Sequence, residues 1–146
     1  MTFLAKLARS PSASFRLLNV TRGVVLAEQL EPALDSATRR RGLLGRDSLD
    51  ARTAIVIAPS SAIHTIGMRF PIDLLFVARD GRVLKRVTGL KRWRMSAHFR
   101  AFAVIEFCAD HTGVRRTEPG DVLAVEPPPR DGSFDEEHEP QPQSRP

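Results

Sequence analysis

Seven consecutive residues, Ile72 to Ala78 (IDLLFVA), constrain this chain more than any other stretch. A short run that is apolar at nearly every position predicts a strand buried on both faces. Pro71 just before it suits the first position of a strand, because proline gives up a ladder donor and pushes the residue preceding it, Phe70, into an extended conformation. The turn Arg79-Asp80-Gly81-Arg82 follows, and Asp-Gly favours the positive φ angles of a type I′ hairpin. Val83 to Leu90 is then expected to return beside the first strand, making Ile72 to Leu90 a hairpin.

Asp73 is the odd residue in that run, because an ionised carboxylate is costly to bury without a partner. One account is structural, with Asp73 accepting backbone N–H groups or pairing with Arg69 or Arg94. The other places it in a site with His64. A second apolar run with an embedded acid, Ala101 to Cys108 (AFAVIEFC), raises a further option. Were Asp73 and Glu106 neighbours facing the same side, they would share a proton or bind a cation, with His64 at the rim. Two separately satisfied carboxylates are the simpler alternative. Cys108, at the end of an apolar strand, reads as a small core residue rather than a nucleophile.

Around these runs the remaining elements are short. Thr2 to Ser14 has no periodicity and is expected to fray. Phe15 to Val20 and Val24 to Gln29 flank Thr21-Arg22-Gly23 as an opening hairpin, with Pro32 ending its second strand. Asp35 or Ser36 can cap a helix reaching about Leu44 and closed by Gly45, with Leu43 and Leu44 facing the core. Its Arg39-Arg40-Arg41 run reads either as a solvated face or as an anion site. Ala54 to Ala58 is another strand, Asp110 to Arg116 a single helical turn, and Pro119-Gly120-Asp121 a turn into a last strand, Val122 to Val125. The division is therefore a flexible N-terminus over 1–14, one β-rich domain over 15–126, and an acidic, proline-rich tail over 127–146 expected to be disordered.

Composition narrows the class. A chain of 146 residues with 42% hydrophobic content suits one domain with a real core. A single cysteine excludes an internal disulfide and a cysteine-rich zinc site. No run approaches a membrane span, and the apolar block near the N-terminus is too short for a secretory signal, so a soluble cytoplasmic protein with no membrane association is expected. Pro127 to Pro146 holds two arginines and five acids, which leaves 20 basic and 12 acidic residues in Met1 to Glu126, a net of +8. That balance favours anionic ligands or nucleic acid as partners. In Lys91 to Arg100 (KRWRMSAHFR) basic residues alternate with Trp93, Met95 and Phe99. Such a segment either stacks and contacts phosphates of single-stranded nucleic acid or is a basic loop whose tryptophan folds back over the core edge.

Four ordered motifs carry a resemblance: RRGLLGRDSL (Arg40 to Leu49), IHTIGMRFPIDLLFVARDGRV (Ile63 to Val83), AVIEF (Ala103 to Phe107) and GDVL (Gly120 to Leu123). Together, over about Asn19 to Val125, the chain resembles the bacterial and archaeal domain-of-unknown-function family 192. The resemblance implies a compact, mostly β fold (α+β at most), an antiparallel β-sandwich or barrel with one short helix, and no established activity. Asp73, Glu106 and Gly120-Asp121 match the family pattern. The segment His64-Thr65-Ile66-Gly67-Met68 replaces its commoner Trp-Met-x-Asn-Thr, Leu44 its usual methionine, and Cys108-Ala109-Asp110 its usual Pro-Ala-Gly.

Catalytic templates fit poorly. Ser60 or Ser61 with His64 and Asp73 supplies the residue types of a hydrolase triad but no nucleophile elbow. There is no phosphate-binding glycine loop and no paired-histidine zinc motif, and no cofactor is expected. Three functions stay open. The preferred one is a monomeric, non-enzymatic domain binding a ligand near His64, Thr65, Met68, Asp73 and Glu106, with Trp93 and Arg94 at its edge. The others are a nucleic-acid-associated protein using the Trp93 loop and the helix arginines, and a metal-assisted enzyme using Asp73, Glu106 and His64.

Overall fold

Two sheets face one another because the central strands are apolar on both sides and must be covered twice. The computed structural model describes residues 2–130; most of the expected C-terminal tail lies outside them. The central strands are β6 (Ile72–Val77) and β9 (Ala103–Cys108). They pair antiparallel within a five-stranded sheet of order β3-β4-β9-β6-β7, where β3 is Gln29–Ala33, β4 Thr53–Ile57 and β7 Val83–Leu90. A three-stranded sheet, β10-β1-β2, is built from β1 (Arg16–Asn19), β2 (Val24–Ala27) and β10 (Leu123–Glu126). The shortest pair, β5 (Ala62–His64) and β8 (Met95–Ala97), forms a separate two-stranded sheet. The architecture is a sandwich with mixed pairing and no closed barrel.

Alternation along each strand sorts the core into two layers. Leu75, Val77, Ile105 and Phe107 pack with Leu17, Leu26, Leu123 and Val125 between the two larger sheets. From the other face of the same strands, Leu74, Phe76 and Val104 pack under Leu43, Leu49, Ile63 and Met68. That second layer is covered by Leu43 and Leu49, in the segment that follows helix α2 (Ser36–Arg41), together with Ile63 and Met68, while α2 itself buries no residue.

Several expectations are corrected. Among the described residues the expected helix is α2, the expected turn at Asp110 to Arg116 is α3 (Thr112–Arg115), and a further short helix, α1 (Ala5–Arg9), is added to them. The N-terminal segment contributes to the core, since Leu4 and Leu7 are buried in the first core layer. Pro32 does not end a strand. It lies inside β3, which pairs parallel with β4 at the edge of the sheet, where a ladder tolerates proline. The β6–β7 turn is not type I′, since Asp80 keeps a negative φ and only Gly81 is left-handed, at 91°. Gly81 N–H instead donates to Ala78 O at 3.0 Å, and Ala78 N–H to Arg82 O at 2.9 Å, a tight turn followed by a glycine bulge. Glycine is required there, because a Cβ would lie 2.5 Å from Leu123 O. Helix α2 is capped by Asp35, whose side chain accepts from Thr38 N–H at 2.8 Å. It ends at Gly42 rather than Gly45, since Gly42, at φ 43° and ψ −122°, turns the chain out of the helix.

Candidate functional site

Glu106 is the residue around which a site is built. Its partner across the strands is Leu74 on one side and Ile55 on the other, so its side chain emerges in the second core layer, beneath α2. It is 2% exposed, and its Oε2 has no hydrogen-bond partner among the described residues. An orphaned carboxyl in a core is expensive unless it loses its charge. Burial pushes the Glu106 carboxyl up to about 8, against the opposing pull of the Arg46 guanidinium, so at neutral pH it is mostly protonated. Arg46 itself is held by Glu31, at 2.7 and 3.3 Å.

The carboxyl lies at a cavity of about 320 Å³. Arg39, Arg40 and Arg41 of α2 line one wall, Ile57, Pro59 and Ser60 at the end of β4 another, and His64 and Met68 a third. Gly42 turns the helix end beside the acid at a φ of 43° that favours glycine, and a Cβ there would lie in ordinary contact, 3.7 Å from Glu106 Oε2. Arg39 is committed to its own helix start, donating to Leu34 O at 3.0 Å and Ser36 Oγ at 3.4 Å. Arg40 and Arg41 are exposed and have no carboxylate partner among the described residues. The cavity thus joins a neutral acid, able to donate one O–H, to two uncommitted guanidinium groups. That combination suits an oxyanion.

The other candidate residues fall elsewhere. Asp73 faces Phe107 and lies in the first core layer, so it cannot share a proton or a cation with Glu106. Its Oδ1 accepts from Gly89 N–H at 2.7 Å and its Oδ2 from His111 N–H at 2.9 Å, which is the structural account realised through backbone donors rather than an arginine. No cluster of three or more His, Cys, Asp or Glu that could hold a metal occurs among the described residues. Thr65 is fully buried and ties a loop: its Oγ1 donates to Lys91 O at 2.6 Å and accepts from Arg94 N–H at 2.9 Å. That loop holds Trp93 outward, 63% exposed at φ 61°, so the tryptophan does not fold back over the core edge. Arg94 is exposed beside it. The Cys108 thiol is pushed up by burial first and then by the nearby carboxylates of Asp73 and Asp50, which disfavours the thiolate.

The matching Gly120-Asp121 turn is also structural. Asp121 Oδ2 accepts from Asn19 Nδ2, Arg22 Nε and Glu118 N–H at 2.9 to 3.0 Å, locking the opening hairpin to the last turn. The sequence offers Arg40 and Arg41 only as part of a basic run with an anion site as one of two readings, and it gives no sign of Gly42. The arginine run was a weak signal alone, and only the fold shows Glu106 beneath it. No helix among the described residues is long and apolar enough to cross a membrane.

Comparison with known proteins agrees with this architecture. The model of domain-of-unknown-function family 192, described as "Uncharacterized ACR", matches residues 18–125. A protein of unknown function from Novosphingobium aromaticivorans is similar in structure, with a TM-score of 0.63 and 21% identity over 75% of this chain and 82% of that one. A protein from Sinorhizobium meliloti, described as a proposed transcription regulator, is similar with a TM-score of 0.66 and 20% identity over 76% of this chain and 91% of that one. At such identities the likeness concerns the fold. No match was found among curated proteins.

Proposed function

The chain belongs to domain-of-unknown-function family 192, and from that premise, which carries a fold but no activity, we propose that it is a non-enzymatic binding domain whose cavity beneath α2 takes a small anionic ligand. The observation that carries this reading is the Glu106 carboxyl, buried, without a partner at Oε2, and lying at the cavity. A fold does not keep an unsatisfied acid in its core without cost, and a buried acid at a cavity with no partner of its own is a candidate for meeting a ligand. A carboxylate or phosphate oxygen would accept the Glu106 O–H while Arg40 or Arg41 balances its charge. His64 and Ser60 supply further polar atoms at the wall.

Glu106 alone would also suit a general acid, given where burial puts its titration. The enzyme reading fails to gain a second group, because Asp73 is on the other face of the sheet and no described side chain hydrogen-bonds to the Glu106 carboxyl. Binding therefore accounts for the arrangement with fewer parts.

The test is a thermal-shift series on the full chain with acetate, citrate, inorganic phosphate, a sugar phosphate and a uronic acid, each against a neutral analogue. A ligand that binds only the native state raises the melting temperature, by about 2.7 kcal/mol of stabilisation at 100 times its Kd. At least one anion is expected to give a shift at pH 6.5 that shrinks at pH 9.5, where Glu106 is ionised, and that is lost when Arg40 and Arg41 are both changed to alanine. Shifts confined to neutral compounds, or no shift from any anion, would overturn the reading.

A further inference from the structure

Outside the cavity, the feature with least structural purpose is the surface around β5 and β8. Trp93 is 63% exposed, Met95 71% and Phe99 85%, so two aromatic rings and a thioether within seven residues are left in water. From Arg82 to Ile105 the chain contains seven lysines and arginines and no acid. Among the described residues Lys91, Arg92, Arg94 and Arg100 make no ion pair. The rings are not gathered into one apolar tip. Trp93 sits between Arg92 and Arg94 in the sequence, and the Phe99 ring has the His98 ring stacked at 5.5 Å and the Arg100 guanidinium 5.3 Å from its centroid while remaining 85% exposed. Trp93 precedes β8 and Phe99 follows it, so the three-residue strand Met95–Ala97 stands between the two aromatic positions.

Trp93 is also held in place at a cost. A bulky residue at φ 61° is strained, and such strain persists only where the surroundings enforce it. Thr65 enforces it, since its backbone O accepts from Trp93 N–H at 3.2 Å and its N–H donates to Arg94 O at 2.8 Å, in addition to the two Oγ1 bonds. The backbone that carries the ring is thus tied at Trp93 and Arg94 rather than left as a free loop.

We propose that this surface binds single-stranded nucleic acid, with bases stacked on Trp93 and Phe99 and the intervening phosphates met by Lys91, Arg92, Arg94 and Arg100. The pieces are those that a sequence-tolerant single-strand platform needs: separated π-faces, cations beside each, and no acid to repel the backbone. Charge complementarity selects a polyanion, and rings flanked by planar cations select a stacking partner over hydrocarbon. The proposal is independent of the cavity beneath α2, which needs neither ring.

Trp93 is the only tryptophan in the chain, so its fluorescence reports on this surface directly. Titrating the full chain with a twelve-nucleotide oligo-uridine and with oligo-deoxythymidine is expected to quench that emission. The affinity should fall as salt rises, with a log–log slope of roughly −0.7 for each phosphate contacted. By anisotropy with a labelled oligonucleotide, Trp93→Gly and Phe99→Ala should each weaken binding about tenfold or more. Trp93→Gly suits the left-handed backbone, so an unchanged melting temperature would show that its effect is not unfolding. Equal affinity for a duplex, or binding unaffected by both variants, would overturn the proposal. So would a blue-shifted Trp93 emission with phosphatidylserine vesicles but no response to either oligonucleotide, which would make this a lipid-facing surface.

Discussion

Asp73 and Glu106 sit one residue out of step on adjacent strands: Asp73 pairs with Phe107, and Glu106 with Leu74, so the two carboxyls leave the same sheet by opposite faces. The offset gives two acids in similar sequence settings different fates. Asp73 meets two backbone N–H groups and becomes a structural clamp between the β7 strand and the loop before α3. Glu106 meets none and is left at the cavity.

Asp73→Asn is therefore expected to destabilise the fold. An amide presents one acceptor and one donor where the carboxylate presented two acceptors, so its NH2 would oppose either Gly89 N–H or His111 N–H. The loss should be about 1.5–3 kcal/mol, the range for hydrogen bonds to a charged group, read as a lower urea midpoint with unchanged slope. Any anion shift measured at the cavity should survive below the new melting temperature. A variant as stable as the parent would show that the two N–H groups are satisfied some other way.

Glu106 makes stability depend on pH in a defined window. Its folded-state titration, at about 8, lies above the ordinary value of 4.5, so the folded protein binds the proton more tightly than the unfolded chain does. The stability this confers is complete below about pH 4.5 and is lost as the pH rises toward 8, by an amount on the order of a few kcal/mol. Glu106→Gln removes the titration. The difference in melting temperature between variant and parent should grow in the variant's favour from pH 5 to pH 8 and then level off. Parallel pH curves for the two proteins would mean that the carboxyl is solvated.

Gly42→Ala tests the roof of the cavity. The added methyl would sit 3.7 Å from Glu106 Oε2 and from Ile57 Cδ1, an ordinary contact, but at φ 43° and ψ −122° only glycine is comfortable. The backbone cost should be about 1–3 kcal/mol. A thermal-shift ligand should also bind more weakly, because the methyl covers the acid. Retained binding at full strength would place the ligand away from Glu106.

How far the sequence revealed this molecule depends on range. The buried hairpin, the Asp35 cap, the acid in each central strand and the turn at Gly120-Asp121 were legible, because each is announced by a local pattern of apolar run, turn residue or misplaced charge. The parallel pairing of β3 was not, since Pro32 reads as a terminator unless its strand is known to be at an edge. Leu4 and Leu7 were missed because five helical residues show no periodicity. The site was legible in its members His64, Met68 and Glu106 and, as one of two readings, in the arginine run Arg39 to Arg41. Whether Glu106 lies beside Asp73 or under Arg40 and Arg41 is decided by strand register and by where Gly42 turns the chain, and neither leaves a mark on the residues themselves.

Thr65→Val probes how Trp93 is held. Valine keeps the shape of threonine and removes the hydroxyl, leaving Lys91 O without its 2.6 Å donor and Arg94 N–H without its 2.9 Å acceptor. The pair lies in a partly buried loop, so the expected loss is about 1–3 kcal/mol. The sharper expectation concerns motion. With Oγ1 gone, only the backbone bonds between Thr65 and residues 93 and 94 oppose relaxation of the strained φ, and the ring gains freedom on the nanosecond scale. Steady-state fluorescence anisotropy of Trp93 should fall well below the parent value at a temperature where both proteins are folded, and affinity for an oligo-uridine should fall with it, since a mobile ring pays ordering entropy on stacking. Anisotropy that stays at the parent value while stability drops would show that the backbone bonds alone fix the tryptophan and that the hydroxyl serves only to satisfy the loop.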